Sequence, residues 1–383
     1  MSLLVTVTGP DHPGVTAGLM DVLAQHQAVV EDVEQVVVHG RLLLGFVTTS
    51  DTPQLRADLG AAADELSVGL EFEGLDDAEP PVRTRHHVVV LAAALEPAAL
   101  AAVARRLAAC GANIERVDRL SSWPAQSFEL IVSGGDTARL RSELAAEAVA
   151  QQVDIAVERA SIYRRAKRLV VMDVDSTLVR GEVIEMLAAE AGCEAEVARV
   201  TEAAMAGELD FEESLRARVK LLAGLPVEAV DRVRAAVQLT PGARTLVRTL
   251  KRLGWTVGIV SGGFTAITDD LHAQLGLDHS MANELEVLDG RLTGQVRGEV
   301  VDRAAKAAAL RQFAAEEGLL VEQTVAIGDG ANDLDMLAAA GLGIAFNAKA
   351  VVRDAADTAL TVPFLDAVLF LLGVSREEIE QAG

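Results

Sequence analysis

Two carboxylates one residue apart follow an apolar run in residues 169–178, LVVMDVDSTL. Such a run suits a strand buried on both faces of a parallel sheet, and these sheets bind ligands beyond the carboxyl ends of their strands. Residues i and i+2 of an extended backbone point the same way, so Asp173 and Asp175 could share a cation or act as nucleophile and proton donor. The alternative is that Asp-Val-Asp-Ser only ends a strand and caps a helix.

Three further segments carry residues that could complete a site: VSGG at 260–263, Lys306 after GEVVDRAA, and IGDGAND at 327–333. Each alone is typical of a turn, an exposed helix face or a helix cap. We expect all three at strand ends, which a parallel sheet brings to one edge around a single cavity. Clustered carboxylates there would repel unless a hard divalent cation held them, and oxygen ligands suit Mg²⁺. Magnesium beside a lysine indicates a phosphate site.

The elements that must position these residues can be predicted from the pattern after residue 167. Apolar strands alternate with helical stretches, which predicts an α/β fold with a Rossmann-like, doubly wound parallel sheet. The insert at about 183–239 is rich in Ala, Glu, Leu and Arg and has no strand signal, so we expect a helical cap over the site. The five predicted strands are RLVVMDVD, WTVGIVSGG, TVAIGDG, LGIAFN and ALTV.

An internal duplication occupies the first 160 residues. The segment PGVTAGLMDVLAQHQAVV from Pro13 aligns with PAALAAVARRLAACGANI from Pro97, and each copy has the order strand, helix, strand, strand, helix, strand. That order predicts two ferredoxin-like α+β domains. The acidic segment DDAEPPVRTR between them is a predicted linker, because Pro-Pro continues neither a helix nor a central strand. The predicted domain boundaries are 1–78, 85–162 and 167–383.

Composition limits the partners. A net charge of -23 argues against general binding of nucleic acid or anionic lipid, since both need a basic surface. No apolar stretch approaches the roughly 20 residues of a membrane span, and the N-terminus has no basic leader with a cleavage site. Cys110 and Cys193 have no paired spacing, so we expect neither a disulfide nor a cysteine metal site. These features predict a cytoplasmic protein without membrane contact.

The motifs DVDST, SGG, the lysine and GDGAND, in this order, resemble the four motifs of haloacid-dehalogenase-type phosphatases over residues 169–347. The segments GEVIEMLA and MAGELDFEESLRARVKLL resemble those members of the superfamily that act on O-phosphoserine. The two N-terminal copies resemble ACT domains, modules that bind amino acids and often join subunits. The resemblance therefore implies a phosphatase of serine biosynthesis with regulatory domains.

The resemblance implies that Asp173 is the nucleophile that forms an aspartyl-phosphate. Asp175, with a raised pKa, would protonate the leaving oxygen and then activate water. Mg²⁺ would be held by the Asp173 carboxylate, the Asp175 backbone carbonyl and Asp329. Lys306 and Mg²⁺ would neutralise the phosphoryl oxygens and hold the attack in line, which is what a carboxylate needs in order to attack phosphorus.

Further roles follow from the same resemblance. Ser261 and the Gly262 amide would bind the phosphoryl group, because glycine lets a backbone donor approach an anion closely. Asn332 would lie nearby, and Asp333 would support the metal waters or Lys306.

Recognition of serine needs partners for an ammonium and a carboxylate. The resemblance places Glu182 on the amino group and Arg218 on the carboxylate, which a guanidinium can bind with two hydrogen bonds. Phe211 and Arg218 are about two helical turns apart and could share one face of a cap helix, with Met205 completing an apolar wall. Ordinary helix packing is the alternative for Met205 and Phe211.

Alternatives remain open at this point. The chain could hydrolyse another phosphomonoester, pass phosphate to an alcohol, or act mainly as an amino-acid sensor. We also expect a homodimer and feedback by serine through the ACT-like copies. The loop TGPDHPG could bind an effector, or simply connect a strand to a helix that starts at Pro13. The second copy lacks a glycine matching Gly14, which puts effector binding there in doubt.

Overall fold

A computed structural model describes residues 2–75, 83–205 and 209–381. The chain divides into two compact units, Met1–Val82 and Arg83–Gly383. Most of the predicted linker, residues 76–82, lies outside the described residues. None of the helices in the described ranges is long and apolar enough to cross a membrane.

The first unit is one four-stranded antiparallel sheet with two helices. Its strands lie in the order β2-β3-β1-β4, and Leu3, Val5 and Val7 of the central strand point into the core. Helix α1 begins at Val15, two residues later than predicted, after Gly14 in a left-handed conformation (φ +101°). The elements are β1 (Ser2–Pro10), α1 (Val15–Gln25), β2 (Val30–Val38), β3 (Arg41–Thr48), α2 (Pro53–Glu65) and β4 (Gly69–Leu75).

The second copy repeats this topology at the start of the second unit. Its sheet has the order β6-β7-β5-β8, so the predicted ferredoxin-like fold is confirmed for both copies. A short helix, α5, follows the last strand and leads into the C-terminal domain. The elements are β5 (Arg85–Ala92), α3 (Pro97–Ala109), β6 (Ala112–Ser121), β7 (Gln126–Gly134), α4 (Thr137–Gln151), β8 (Asp154–Arg159) and α5 (Ile162–Arg165).

Strand β5 is buried on both faces. Val88 and Val90 belong to the core of the copy itself, whereas Val89 and Leu91 belong to the main core cluster of the C-terminal domain. A strand with both faces covered needs such a continuous apolar run. The second copy is therefore packed against the C-terminal domain through the outer face of its sheet.

Polar contacts reinforce this junction. The Asp154 carboxylate accepts hydrogen bonds from the Thr361 backbone N–H (2.8 Å) and hydroxyl (3.0 Å). Arg164, which is 10% exposed, lies between Glu129 (2.6 Å) and Glu158 (3.2 Å), and Glu158 also pairs with the buried Lys167. Because each of these charges has an oppositely charged partner, the junction can exclude water without leaving an isolated buried charge.

The C-terminal domain is built on a seven-stranded sheet in the order β12-β11-β10-β9-β13-β14-β15. Strand β9 is central, and the chain adds β10 on one side before it returns to β13 on the other. This reversal places a ligand crevice at the carboxyl ends of β9 and β13. The strands are β9 (Leu169–Met172), β10 (Thr256–Phe264), β11 (His279–Leu288), β12 (Arg291–Arg297), β13 (Thr324–Gly328), β14 (Leu342–Phe346) and β15 (Thr358–Leu360).

The five predicted strands are present, but the prediction was incomplete. It missed β11 and β12, which form an antiparallel hairpin at one edge of the sheet. Asp289 and Gly290, both with positive φ, make the turn between them. Their strands mix polar and apolar residues because the hairpin is only partly covered, so they lack the continuous apolar runs of the inner strands.

Helices flank the sheet and form the insert after β9. In its described residues, 183–205 and 209–239, the insert contains four helices, α6 to α9, and an isolated bridge between Val179 and Leu239 joins its two ends. The helices are α6 (Val183–Ala191), α7 (Glu194–Met205), α8 (Phe211–Lys220), α9 (Val227–Ala236), α10 (Ala243–Arg252), α11 (Thr265–Leu275), α12 (Arg303–Glu316), α13 (Leu334–Ala339), α14 (Ala350–Arg353), α15 (Val368–Leu371) and α16 (Arg376–Gln381).

Candidate active site

Asp173 follows the central strand β9 directly and is buried. Its backbone N–H donates to the Ile327 carbonyl of β13 (2.9 Å), which fixes the end of the strand. Its Oδ1 atom accepts from the Val174 N–H (2.8 Å) and lies 2.7 Å from Lys306 Nζ. The carboxylate is thus held at the crevice by one backbone donor and one cation.

Lys306 lies in the first turn of α12 and not at a strand end, which corrects the predicted location. Asp302 caps this helix by accepting from the Ala305 N–H (2.8 Å). Lys306 Nζ is fully buried and 2.7 Å from both Asp173 Oδ1 and Asp333 Oδ1. Burial opposes its charge, but the two carboxylates outweigh that effect and raise the pKa of Lys306. The lysine therefore stays charged.

Three carboxylates form a compact cluster around this lysine. One oxygen from each of Asp173, Asp329 and Asp333 lies within 4.8 Å of the others. Burial and the neighbouring Asp333 raise the pKa of Asp173 and raise the pKa of Asp329 to about 6. Thr177 donates to Asp329 Oδ1 (3.1 Å). Mutually repelling carboxylates that one lysine only partly neutralises are a donor set that fits a hard divalent cation.

Asp175 faces a different part of the crevice. Its Oδ1 atom accepts from the Val183 N–H (2.8 Å), and its Oδ2 atom accepts from the Ser261 hydroxyl (3.3 Å). Its carboxylate is not a member of the acidic cluster. Burial raises the pKa of Asp175, although the Val183 N–H opposes the shift. The two acids one residue apart therefore have different surroundings.

Ser261 and the two following glycines occupy the end of β10. The Gly263 N–H donates to Ser261 Oγ (2.8 Å). A Cβ atom at Gly263 would lie 2.8 Å from Asp175 Oδ2, and one at Gly262 would lie 2.9 Å from Phe211 Cζ. A side chain at either position would therefore displace Phe211, Asp175 or Ser261 from the place it has in the site.

The cap contributes charged groups to the same crevice. Glu182 accepts from the Ser176 hydroxyl (3.0 Å), and burial together with the nearby Asp175 raises the pKa of Glu182 to about 7. Arg218 is half-buried on α8, where its Nε donates to the Ser214 carbonyl (3.3 Å). Among the residues that the structure describes, no carboxylate pairs with the Arg218 guanidinium. Burial lowers its pKa, and Glu182 opposes the shift.

Phe211 is the first residue of α8, which Asp210 caps together with Glu213. Its ring lies against Gly262, so the cap touches the β10 loop directly. Asn332 is half-buried in the single turn Ala331–Asp333, with its Oδ1 atom beside Gly330. Met205 ends α7, but its side chain lies outside the described part of the structure.

Three residues of the site, Ser176, Thr177 and Asn283, had no predicted role. Thr177 holds Asp329, and Ser176, in a left-handed conformation (φ +58°), holds Glu182. Their position directly after the two acids was a usable signal, because hydroxyls there can reach neighbouring carboxylates. Asn283 of β11 contacts Gly262 and had no such signal.

Comparison with known proteins places this geometry in a family. Residues 170–338 match the haloacid dehalogenase-like hydrolases, and residues 1–73 and 84–158 each match an ACT domain family. A phosphoserine phosphatase from Streptomyces coelicolor is 58% identical over 100% of this chain and 94% of its own length. One from Mycobacterium tuberculosis is 52% identical over 100% of this chain and 95% of its own length.

Solved structures of phosphoserine phosphatases are similar to this chain as well. A phospho-aspartyl intermediate analogue of phosphoserine phosphatase superposes with a TM-score of 0.51 at 45% identity, over 54% of this chain and 98% of that one. A probable phosphoserine phosphatase from Vibrio cholerae, in unliganded form, superposes with a TM-score of 0.61 at 38% identity, over 77% of this chain and 88% of that one. The chain belongs to the phosphoserine phosphatase family of haloacid dehalogenase-like hydrolases.

Proposed function

We propose that the chain hydrolyses O-phosphoserine to serine and phosphate, the last step of serine biosynthesis, with Mg²⁺ and an aspartyl-phosphate intermediate on Asp173. The observation that carries this proposal is the buried Asp173 carboxylate at the carboxyl ends of the central strands. It contacts Lys306 and is clustered with Asp329 and Asp333. The full-length similarity to phosphoserine phosphatases supports it. So does the similarity to the phospho-aspartyl intermediate analogue.

The first half of the reaction transfers the phosphoryl group to the enzyme. Asp173 Oδ1 is engaged by Val174 and Lys306, which leaves Oδ2 to attack phosphorus. The bond from phosphorus to the seryl oxygen breaks, and Asp175 donates its proton to that oxygen. Its burial-raised pKa favours the protonated form that this step requires.

The second half hydrolyses the intermediate. The Asp175 carboxylate, now ionised, takes a proton from water, whose oxygen attacks phosphorus and breaks the bond to Asp173. Phosphate leaves, and both carboxyl groups regain their starting forms. Bound Mg²⁺ would supply positive charge to the phosphoryl oxygens, and it would be held by Asp173, the Asp175 carbonyl and Asp329, with Asp333 in support.

Groups around the phosphoryl oxygens complete the site. Lys306 would stabilise their negative charge, and Ser261 and the Gly262 amide would hydrogen-bond to them, with Asn332 nearby. Lys306 and Ser261 are held by contacts within the folded chain before substrate arrives, so these two donors need little reorganisation during the reaction.

Selectivity for the serine part would come from the cap. Glu182 would bind the ammonium group and Arg218 the carboxylate, with Phe211 and Met205 as an apolar wall. Arg218 supports this assignment because it is half-buried without a carboxylate partner among the described residues. A half-buried guanidinium without a carboxylate partner has lost part of its hydration, which a bound carboxylate would replace.

Phosphate release from O-phosphoserine, with Mg²⁺ or with EDTA, tests the proposal. We expect metal-dependent turnover that Asp173→Asn abolishes. Arg218→Ala should lower kcat/KM for O-phosphoserine by about 100-fold, the loss of a charge-assisted bidentate contact, and change turnover of p-nitrophenyl phosphate less than threefold. Arg216→Ala is the matched control, since Arg216 is exposed on the same helix and, within the described part of the chain, forms its ion pair with Glu212.

Three results would contradict the proposal. Unchanged selectivity in Arg218→Ala would remove the substrate assignment. Phosphate transfer to added alcohols in preference to water would indicate a transferase. Serine binding without turnover of either phosphate ester would indicate a sensor.

The proposal extends to regulation and assembly. The first ACT domain has a cavity of about 300 Å³ between the β1–α1 loop and β2, which is large enough for an amino-acid effector such as serine. Its lining includes Asp11, His12, Gly14, Thr16 and Gln35. Strand β2 is an exposed edge whose valines are solvent-accessible, which favours a homodimer through this domain. We also propose a cytoplasmic location, consistent with two free cysteines.

A further inference from the structure

The pairing between β10 and β11 is interrupted where the phosphoryl-binding loop begins. Val260 pairs with Met281 and Phe264 pairs with Asn283. Residues 261–263 of β10 therefore stand opposite a single residue of β11, and they leave the ladder towards the site. An interruption of this kind leaves backbone N–H and C=O groups without their partners in the sheet, and these groups must form hydrogen bonds elsewhere.

The Asn283 side chain supplies those partners. It is 1% exposed, its Nδ2 donates to the Gly262 carbonyl (2.8 Å), and its Oδ1 accepts from the Val301 N–H (2.8 Å). One partner can only accept and the other can only donate, so the orientation of the amide is determined. No other residue type of this size offers a donor and an acceptor in this arrangement.

The first of these bonds fixes the loop. With its carbonyl on Asn283, the Gly262–Gly263 peptide directs its N–H to Ser261 Oγ (2.8 Å). Ser261 in turn contacts Asp175 (3.3 Å). Gly262 and Gly263 have no side chains to restrict their torsions, so the loop relies on these bonds for its shape.

The second bond reaches the lysine. Val301 directly precedes Asp302, which caps α12, and the Lys306 N–H donates to the Asp302 carbonyl (3.0 Å). Asn283 thereby joins the Ser261 loop to the first turn of the helix that carries Lys306. A single buried amide fixes the distance between two groups that come from separate parts of the chain.

We propose that Asn283 is a positioning residue for phosphoryl transfer, setting the place of Ser261 relative to Lys306 without touching the substrate. The inference deepens the proposed function and rests on it for the reaction concerned. Displacement of catalytic groups by about 1 Å can cost about 100-fold in rate. Among the described residues the Asn283 side chain hydrogen-bonds to Gly262 and Val301 and not to the cap groups Glu182 and Arg218, so binding of the serine part should be largely preserved.

The test uses the full-length protein with Asn283→Ala and Asn283→Asp. Aspartate keeps the size and the bond from Val301 but sets a carboxylate against the Gly262 carbonyl. We expect kcat for O-phosphoserine to fall by about 10- to 100-fold in both variants, with KM within threefold. Thr358→Val is the matched control, because it removes another buried donor to a backbone carbonyl (Ile155, 3.1 Å) far from the site and should leave kcat unchanged.

Hydrogen exchange of residues 261–264 gives a readout that does not depend on turnover. We expect loss of protection there in both Asn283 variants and not in Thr358→Val. Unchanged kcat in Asn283→Asp, or unchanged exchange in 261–264, would overturn the proposal. If the wild type cleaves p-nitrophenyl phosphate but not O-phosphoserine, the substrate assignment fails while the Asn283 variants are still tested on the aryl ester. If neither is cleaved, the role in phosphoryl transfer fails together with the proposed function, and the exchange measurement then reports only on the loop.

Discussion

Strand β1 of the first ACT domain and strand β5 of the second occupy the same place in the same fold, yet their burial differs. Val5 in β1 corresponds to Val88 in β5, and both point into their own domain core. The next residue is the partly exposed Thr6 in β1 but the buried Val89 in β5. Two residues further on, Thr8 is exposed and Leu91 is fully buried.

This difference teaches how a duplicated domain acquires two roles. Alternation of polar and apolar residues leaves one face of a sheet open to solvent, whereas a continuous apolar run requires a second layer. The first domain keeps an open face, an exposed edge strand and a loop cavity. The outer face of the second domain packs against the catalytic domain, so the second domain serves as a structural layer of the catalytic domain.

Deleting the first ACT domain alone, or both ACT domains, should give the largest difference in stability between the two domains' roles. Removing residues 1–82 leaves the unit Arg83–Gly383 whole, so we expect kcat within twofold of the full chain. Removing residues 1–161 uncovers part of the main core cluster. At about 1.5–3 kcal/mol for each apolar side chain, this should cost more than about 5 kcal/mol. Phosphate release measures kcat for the shorter deletion, and thermal unfolding with size-exclusion chromatography measures the stability of the longer one. An equally stable, monodisperse product from the longer deletion would contradict the assigned structural role.

A matched pair of substitutions sharpens the same contrast. Leu91→Asp places an unpaired charge in the buried junction, beside Asp154 on the neighbouring strand, and should destabilise by about 4 kcal/mol or more. Thr8→Asp at the corresponding exposed position should change stability by less than about 0.5 kcal/mol. Urea denaturation gives both values, and similar losses would show that the two faces are equally covered.

Reciprocal substitutions at aligned positions of the two ACT domains test whether the cavity of the first domain binds the proposed effector. Thr16 aligns with Leu100, and its hydroxyl donates to Gln35 Oε1 (2.6 Å) in the cavity wall. Thr16→Leu should raise the serine concentration for half-maximal effect by about 10-fold, or about 1.4 kcal/mol, without changing kcat. The reciprocal Leu100→Thr should leave serine sensitivity unchanged. The opposite pattern would move the effector site to the second domain.

The smallest effect concerns the pH dependence of stability. Burial raises the pKa of Asp154 above 3.8, although its bonds from Thr361 oppose the shift. The folded state therefore holds this proton more tightly than the unfolded state. The resulting stability is present below the unfolded pKa and is lost as pH rises through the folded pKa.

Asp154→Asn removes that dependence. Above about pH 3.9, the pKa of an unperturbed aspartate, the stability of the wild type relative to the variant should fall as pH rises, until Asp154 is ionised in the folded state. Glu71→Gln on the exposed strand β4 of the first domain is the control and should leave the slope unchanged. Urea denaturation at a series of pH values gives the free energy of unfolding of each protein as a function of pH. If this free energy depends on pH in the same way for the wild type and for Asp154→Asn, the assignment is contradicted.

Sequence patterns predicted the fold wherever burial was regular. The inner strands are continuous apolar runs, and both ACT domains follow their periodicity closely. The β11–β12 hairpin was missed because its apolar residues are scattered, although the Asp289-Gly290 turn is a strong hairpin signal. Reading β5 as a continuous run would also have indicated that its outer face is covered.

The site was harder to predict where it depends on contacts between distant segments. Asp173 and Asp329 follow predicted strands, so their approach could be expected. Lys306 comes from a helix whose orientation depends on its cap, and no local pattern shows which helical lysine is buried. Asn283 owes its role to a shift in strand pairing, which appears only once both strands are placed.

The two-sided burial of β5 also has a consequence for synthesis of the chain. Val89 and Leu91 leave the ribosome about 280 residues before Val368 and Leu369 of the same core cluster. At a synthesis rate of roughly 5–20 residues per second, the outer face of the second ACT domain stays exposed for about 15–60 s before these residues of the C-terminal domain are made. During that interval it is the apolar surface that a chaperone would recognise, while the first ACT domain can already be complete.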